Sequence, residues 1–274
     1  MAGRFRLAVT TVLFALGGCA GGGSSSPTPA ALAMVNAIPD SGGLTARSAG
    51  LSDLGPLAFG SAGLDAPVPE GRYTVQLTPG ASGSAPFSAG GVDAVDNALT
   101  TVVAYGTLAG GVQNALQAQV PAGAPDPGRL RMQPVHAAYQ EAHGSYNPFA
   151  TLYFYFLSPP GAPFTTATPT LTVSFGPAAP PQSLTLPAGT YEIFATPLPE
   201  CLQGQPCPAT GTDPRYYFAS GPKGISLPMS DGSDTYQAIV IDAGGTQSGV
   251  DGSLMSLVLL GNKGGSVQLF NGQQ

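Results

Sequence analysis

Charge is scarce in this chain: Asp, Glu, Lys and Arg make up only 9% of its 274 residues. The nine Lys and Arg are scattered and form no cluster. Nucleic-acid binding and electrostatic adhesion to anionic lipid both need such a cluster, so both are excluded as expectations. Tryptophan is absent, and there are two histidines and three cysteines. Two histidines give a Ser-His-Asp site few ways to assemble, and no Gly-x-Ser-x-Gly elbow occurs. Phosphate-loop and dinucleotide fingerprints are also missing, and no cofactor is expected. No long apolar pattern of helical period follows the N-terminus, so little helix is expected.

The chain is rich in turn-formers and apolar residues. It has 39 Gly and 28 Pro, about a quarter of its length, beside 43% hydrophobic residues. A disordered chain shows the reverse balance of charge and hydrophobicity. Short strands joined by Gly/Pro turns fit better, and they imply an all-β sandwich or barrel. The net charge is −6; without residues 1–18, which hold Arg4 and Arg6 but no acid, it is −8.

Residues 1–18 read as an export signal. Arg4 and Arg6 form a basic start, residues 7–16 a short apolar stretch, and small residues follow. The end, Leu16-Gly17-Gly18-Cys19, resembles the lipobox of bacterial lipoproteins. That likeness implies cleavage before Cys19 and acylation of its thiol and amine. A Gly/Ser/Pro tether over residues 19–31 would space the folded part from the membrane. Ala at position 20 implies the outer membrane, by similarity to enterobacterial sorting. With Cys19 lipidated, Cys201 and Cys207 are left as a pair in an oxidising compartment, and a disulfide between them is expected.

The remainder repeats itself. Val68-Pro69-Glu70-Gly71-Arg72-Tyr73-Thr74-Val75 returns as Leu186-Pro187-Ala188-Gly189-Thr190-Tyr191-Glu192-Ile193. Each copy reads as a turn leading into a strand, with proline presetting one backbone angle and glycine supplying a conformation closed to other residues. Val35-Asn36-Ala37 matches Val135-His136-Ala137, Phe59-Gly60 matches Phe175-Gly176, and residues 102–105 match 238–241. These matches predict two domains: a first over 32–120, a Pro-rich linker over 121–128, and a second over 129–274 with two inserted loops. Residues 57–60 read as a short strand and residues 99–105 as a central one.

An opening strand ending in His-Ala, a Phe-Gly strand, Pro-x-Gly-x-Tyr and a closing apolar strand together resemble the DUF4397 family. That resemblance implies tandem immunoglobulin-like antiparallel β-sandwich domains outside the cell. It supplies no catalytic residue, and Asn36 stands where the family tends to have His.

Candidate chemistry is thin. His136, Glu141 and His143 do not copy the spacing of a zinc helix, and the Asn36/His136 match reads as a hydrogen bond fixing a strand end. Asp231, Asp234, Asp242 and Asp251 lack the dense oxygen spacing of a calcium loop. Residues 152–157 form the most aromatic run. Alternation puts Tyr153 and Tyr155 on one face, a candidate aromatic surface for sugar or peptide. The expectation is a lipid-anchored envelope protein with a binding or structural role, meeting the membrane through its lipid and an envelope protein or glycan as ligand. The alternatives are an envelope enzyme on carbohydrate or peptide and an accessory subunit of a surface complex.

Overall fold

A computed structural model describes residues 29–123, 125–139, 151–160, 170–176, 182–196, 218–219, 225–227, 234–242, 255–263 and 266–270. The leader, Cys19, Cys201 and Cys207, and with them the expected lipidation and disulfide, lie outside the described residues, as do Glu141, His143, Asp231 and Asp251.

The fold is all-β. The first half holds β1 (Ala30–Ala37), β2 (Leu44–Arg47), β3 (Leu54–Leu57), β4 (Ala62–Val68), β5 (Gly71–Pro79), β6 (Phe87–Ala94), β7 (Ala98–Thr107) and β8 (Val112–Pro121). The second holds β9 (Arg129–His136), β10 (Thr151–Leu157), β11 (Leu171–Ser174), β12 (Leu184–Pro187), β13 (Gly189–Thr196), β14 (Phe218–Ala219), β15 (Ile225–Leu227), β16 (Thr235–Asp242), β17 (Met255–Gly261) and β18 (Ser266–Phe270). Sheets β4-β1-β7-β8 and β3-β2-β5-β6 build the first half; β12-β9-β16-β17-β18 and β11-β10-β13-β14, with β15 on β13, build the second. The two strand orders correspond over four strands in each sheet, with β18 and β15 added in the second half.

Side-chain alternation stacks the four sheets. On β1, Ala30, Leu32 and Met34 face the core of the first half, while Ala31, Ala33, Val35 and Ala37 face away from it. The residues facing away meet Val135, Ala137, Ile239, Ile241, Val258 and Leu260 of the second half. This middle layer counts 15 buried described residues, against 13 and 17 in the cores to either side. The halves therefore meet through a core, not through a thin contact. A polar chain threads it. Thr101 Oγ1 donates to Gln237 Oε1 at 2.5 Å, Gln237 Nε2 to Gln133 Oε1 at 2.6 Å, and Gln133 Nε2 to the Gln119 carbonyl at 3.0 Å.

One pairing in each half departs from the antiparallel expectation: β1 runs parallel to β7, and β9 parallel to β16. Double burial permits this. Strands covered on both faces read as continuous apolar runs, the setting in which parallel pairs occur. The repeat holds to the residue. Val35 pairs with Val103 and Val135 with Ile239. The Gly60 amide donates to the Asn36 carbonyl, and the Gly176 amide to that of His136; both glycines have positive φ, 74° and 92°.

Three boundaries differ from the sequence reading. The first strand begins at Ala30, because Ala30 and Ala31 are already buried, so the tether ends two residues earlier than expected. Residues 58–61 form a turn between β3 and β4 where a strand was expected, since Gly60 in the left-handed region cannot continue one. Third, Gly71 and Gly189 do not have positive φ. A Cβ on either would lie 3.8 Å from the ring of Tyr73 or Tyr191, an ordinary contact.

Tyrosine is what gives the repeated motif its purpose. The Tyr73 hydroxyl donates to the Pro69 carbonyl at 2.7 Å, and the Tyr191 hydroxyl to that of Pro187 at 2.7 Å. Each ties a strand back onto the corner before it, the device known as a tyrosine corner in sandwich folds. At the other end of the first half, Asp40 accepts from the Leu108 and Ala109 amides and the Thr107 hydroxyl. Burial alone raises its pKa, but these bonds outweigh it and hold the carboxyl below its ordinary 3.8.

Tyr73→Phe and Tyr191→Phe should each cost about 1 kcal/mol in denaturant unfolding, whereas Gly71→Ala should stay within about 0.5 kcal/mol. The stability gap between wild type and Asp40→Ala should be full at pH 6. A depressed folded pKa makes the contribution present above the unfolded value, so the gap should narrow as pH falls below 3.8.

Candidate functional site

Four stacked sheets leave two outward faces, one on each outer sheet. The second half was expected to carry the aromatic surface. Alternation does put Leu152, Phe154 and Phe156 in the core, with Tyr153 and Tyr155 on the opposite face. That face is not open, however. Tyr155 is 1% exposed, and Glu192, Phe194 and Thr196, which share its face on β13, are buried. The Tyr155 ring meets the Phe194 ring edge-on at 5.8 Å. Burial raises the Tyr155 pKa, with a smaller push from Tyr153. A two-tyrosine platform is therefore not formed; Tyr155 is an interior side chain and Tyr153 alone is half-buried. The alternation was sound. What it cannot register is a second covering layer.

His136 is also interior. It is 0% exposed and lies edge-on to Phe175 at 5.4 Å. Its counterpart Asn36 is the strand-end clamp expected from sequence. Asn36 Nδ2 donates to Ser41 Oγ and to the Leu57 carbonyl, both at 2.9 Å, and Oδ1 accepts from the Ile38 amide at 3.0 Å. Asp242 is buried in β16, and Asp234 pins the connection between the halves by accepting from the Gly123 amide. No three His, Cys, Asp or Glu among the described residues are grouped to hold a metal.

Neither a family model nor a curated protein matches the chain. The DUF4397 resemblance thus rests on the motif residues themselves.

The outer face of the first half is open. On β5, Arg72, Thr74 and Gln76 point to solvent while Val75 and Leu77 fill the core. Gln76 stands opposite Arg47 on β2 and opposite Ser88 on β6, so three polar side chains form one row across three strands. At about 4.8 Å between strands the row is roughly 10 Å long. A bulge on β6 sets its last member: the register slips between Thr74 and Gln76, Gly90 takes φ 77°, and its amide donates to Ser88 Oγ at 3.0 Å. A bulge of this kind re-aims a side chain.

Arg47, Thr74, Gln76, Pro86, Phe87 and Ser88 line a solvent-open trough of about 500 Å³ on this face. Arg47 bonds Asp53 through Nε at 2.9 Å, and both side chains are more than half exposed. Held through Nε, the guanidinium still has the two terminal amino groups of its fork to donate. Phe87 pairs with Leu77 and packs against the core, so its side chain lies on the inner side of the sheet, while Pro86 is exposed at the trough. A second crevice opens at the β3/β4 seam beneath residues 48–54, but its cavity volume is about 20 Å³, room for about one water. The seam on the other side is closed. Gln117 and Gln119 donate to the Gly91 and Asp93 carbonyls of β6, blocking the bare edge that an unpaired strand would offer.

Tyr155→Ala should cost about 3–5 kcal/mol on unfolding, as for a core aromatic, whereas Tyr153→Ala should cost less than about 1.5 kcal/mol. Equal, small losses would restore both as surface residues.

Proposed function

We propose that this protein is a lipid-anchored component of the bacterial envelope that acts by binding, through the open face of its first half. The observation that carries the binding reading is the trough. It presents hydroxyls, an amide and one guanidinium beside the exposed Pro86, on a sheet backed by two cores. Precise polar groups around a small apolar surface are how binding sites orient a ligand. The anchor reading rests on the Leu16-Gly17-Gly18-Cys19 lipobox and the tether after it. β1 is central in its sheet, and its start at Ala30 receives the tether directly. A multiply acylated end is a durable anchor at about 0.8 kcal/mol per buried CH₂.

The first strands of both halves start at that same end. Arg131 and Thr235 each bond the Pro121 carbonyl there, while Tyr105 stacks on Tyr139 at the opposite end, 5.7 Å apart. A tethered molecule would thus present the trough on its side, free of the membrane contact. The DUF4397-like motifs add an extracellular setting and no chemistry.

The test has two arms. Wild-type protein should carry a diacylglyceryl mass and fractionate with membrane, and Cys19→Ser should do neither; two soluble, unmodified proteins would overturn the anchor. Immobilised protein should retain envelope glycans or peptides, and Thr74→Glu with Ser88→Glu should abolish that retention. Retention unaffected by the double variant would overturn the binding face.

A further inference from the structure

We infer that the trough takes a uronic-acid-bearing glycan, with the sugar carboxylate on Arg47. This rests on the binding-face reading above and names its ligand class. Three features of the trough select this chemistry.

The first is the single cation. Arg47 is the guanidinium in the trough; its Nε is held by Asp53, so the planar fork is oriented with its terminal amino groups left for a ligand. A fork of this geometry matches a carboxylate through two parallel hydrogen bonds. The second is the neutral polar row. Gln76 and Ser88 stand beside Arg47 in register, with Thr74 two residues along the same face. Hydroxyl and amide groups of this kind both donate and accept, as sugar hydroxyls require. An acidic peptide would instead ask for paired cations, and Arg47 is the one cation among the described residues lining the trough. The third is the wall. Pro86, exposed at the end of the row, supplies an apolar surface for the C–H face of a pyranose ring.

Charge makes the inference specific. The chain is net negative at −6, so its overall field repels a polyanion and no general electrostatic capture is available. Any affinity for an acidic glycan has to come from a local contact. Arg72 provides the internal comparison. It lies on the same face of β5, four residues from Gln76, near Asp93 at 3.8 Å and 72% exposed, but it does not line the trough.

The probes are trigalacturonate and maltotriose, an acidic and a neutral trisaccharide, titrated into purified protein by calorimetry. Trigalacturonate should bind and maltotriose should bind at least about ten-fold more weakly, the scale of one charge-assisted contact. Arg47→Gln should weaken trigalacturonate about ten-fold and abolish the preference, while Arg72→Gln should change it by less than about two-fold. Thr74→Ala should weaken both sugars together. Unchanged thermal unfolding of Arg47→Gln would show that the loss is not one of folding. Equal weakening by Arg47→Gln and Arg72→Gln would mean diffuse charge and would overturn the site. Binding of maltotriose that depends on Thr74 but not on Arg47 would overturn the uronate and leave the binding face standing. If neither sugar binds, the inference falls; retention of an envelope peptide lost in the Thr74→Glu, Ser88→Glu protein would then keep the face.

Discussion

The structure depends on strands buried on both faces. β1, β7, β9 and β16 each put one set of side chains into their own half and the alternate set into the seam between halves. A strand with one polar face would leave the seam wet, and the two halves would be separate bodies on a string. Here Ala31, Ala33 and Val35 on one side and Ile239, Ile241 and Val258 on the other exclude water over the whole contact. The small residues matter. Alanine on β1 allows close approach of two sheets, and the larger β-branched residues on β16 fill the space, a large-against-small complementarity that interiors packed to crystal density require. The parallel pairings are permitted by the same burial, the setting in which parallel pairs occur.

An apolar seam could slide, and the buried polar chain is what opposes that. Thr101, Gln237, Gln133 and the Gln119 carbonyl form one hydrogen-bonded line across both inner sheets. Shifting the halves by one residue would break the Thr101–Gln237 and Gln133–Gln119 bonds, which cross between the halves, and strand buried polar groups without partners. Each stranded group costs about 1–3 kcal/mol. The ladder therefore adds little net stability when satisfied but penalises every wrong register heavily. Pro121, bonded by both Arg131 and Thr235, fixes the same register at the end where the halves are joined.

Much of this was legible in the sequence, and what was not has physical reasons. The repeat offsets were readable because register is preserved in each half. Val35 opposite Val103 and Val135 opposite Ile239 are one pairing written twice. The Asn36 clamp was readable because a polar residue inside an apolar run must find partners. The role of Tyr73 and Tyr191 was misplaced onto the neighbouring glycines, since a motif shows which residues recur but not which of them makes the bond. Tyr155 was misread for another reason. Period-two alternation states which side of a sheet a residue faces, and burial depends on what covers that side, which is set by distant segments. The trough was missed because Arg47, Gln76 and Ser88 are 12 or more positions apart in the chain and meet only through register. The outward alternation of Arg72, Thr74 and Gln76 was the local signal that could have found it.

Duplication makes two copies of a scaffold, but stacking makes their surfaces unequal. Once the inner sheets are committed to the seam, each half keeps one outer face for other use. On β13 that face carries Glu192, Phe194 and Thr196, all buried; on β5 the corresponding positions carry Thr74, Gln76 and Thr78, polar and at least partly open. The corner tyrosine is common to both, so the faces part at the outward residues that follow it and at what covers them. Outward residues on a strand are free to change without disturbing the core, because the alternate positions carry the packing. The same strand can then serve as an interior layer in one half and as a solvent-facing floor in the other. That floor is held from beneath, where Val75 and Leu77 pack into the core shared with β1 and β7, and those strands pack in turn against the second half. The second half is thus the backing of the sheet pair that carries the open face, and a substitution in the seam acts on that face through two packed layers.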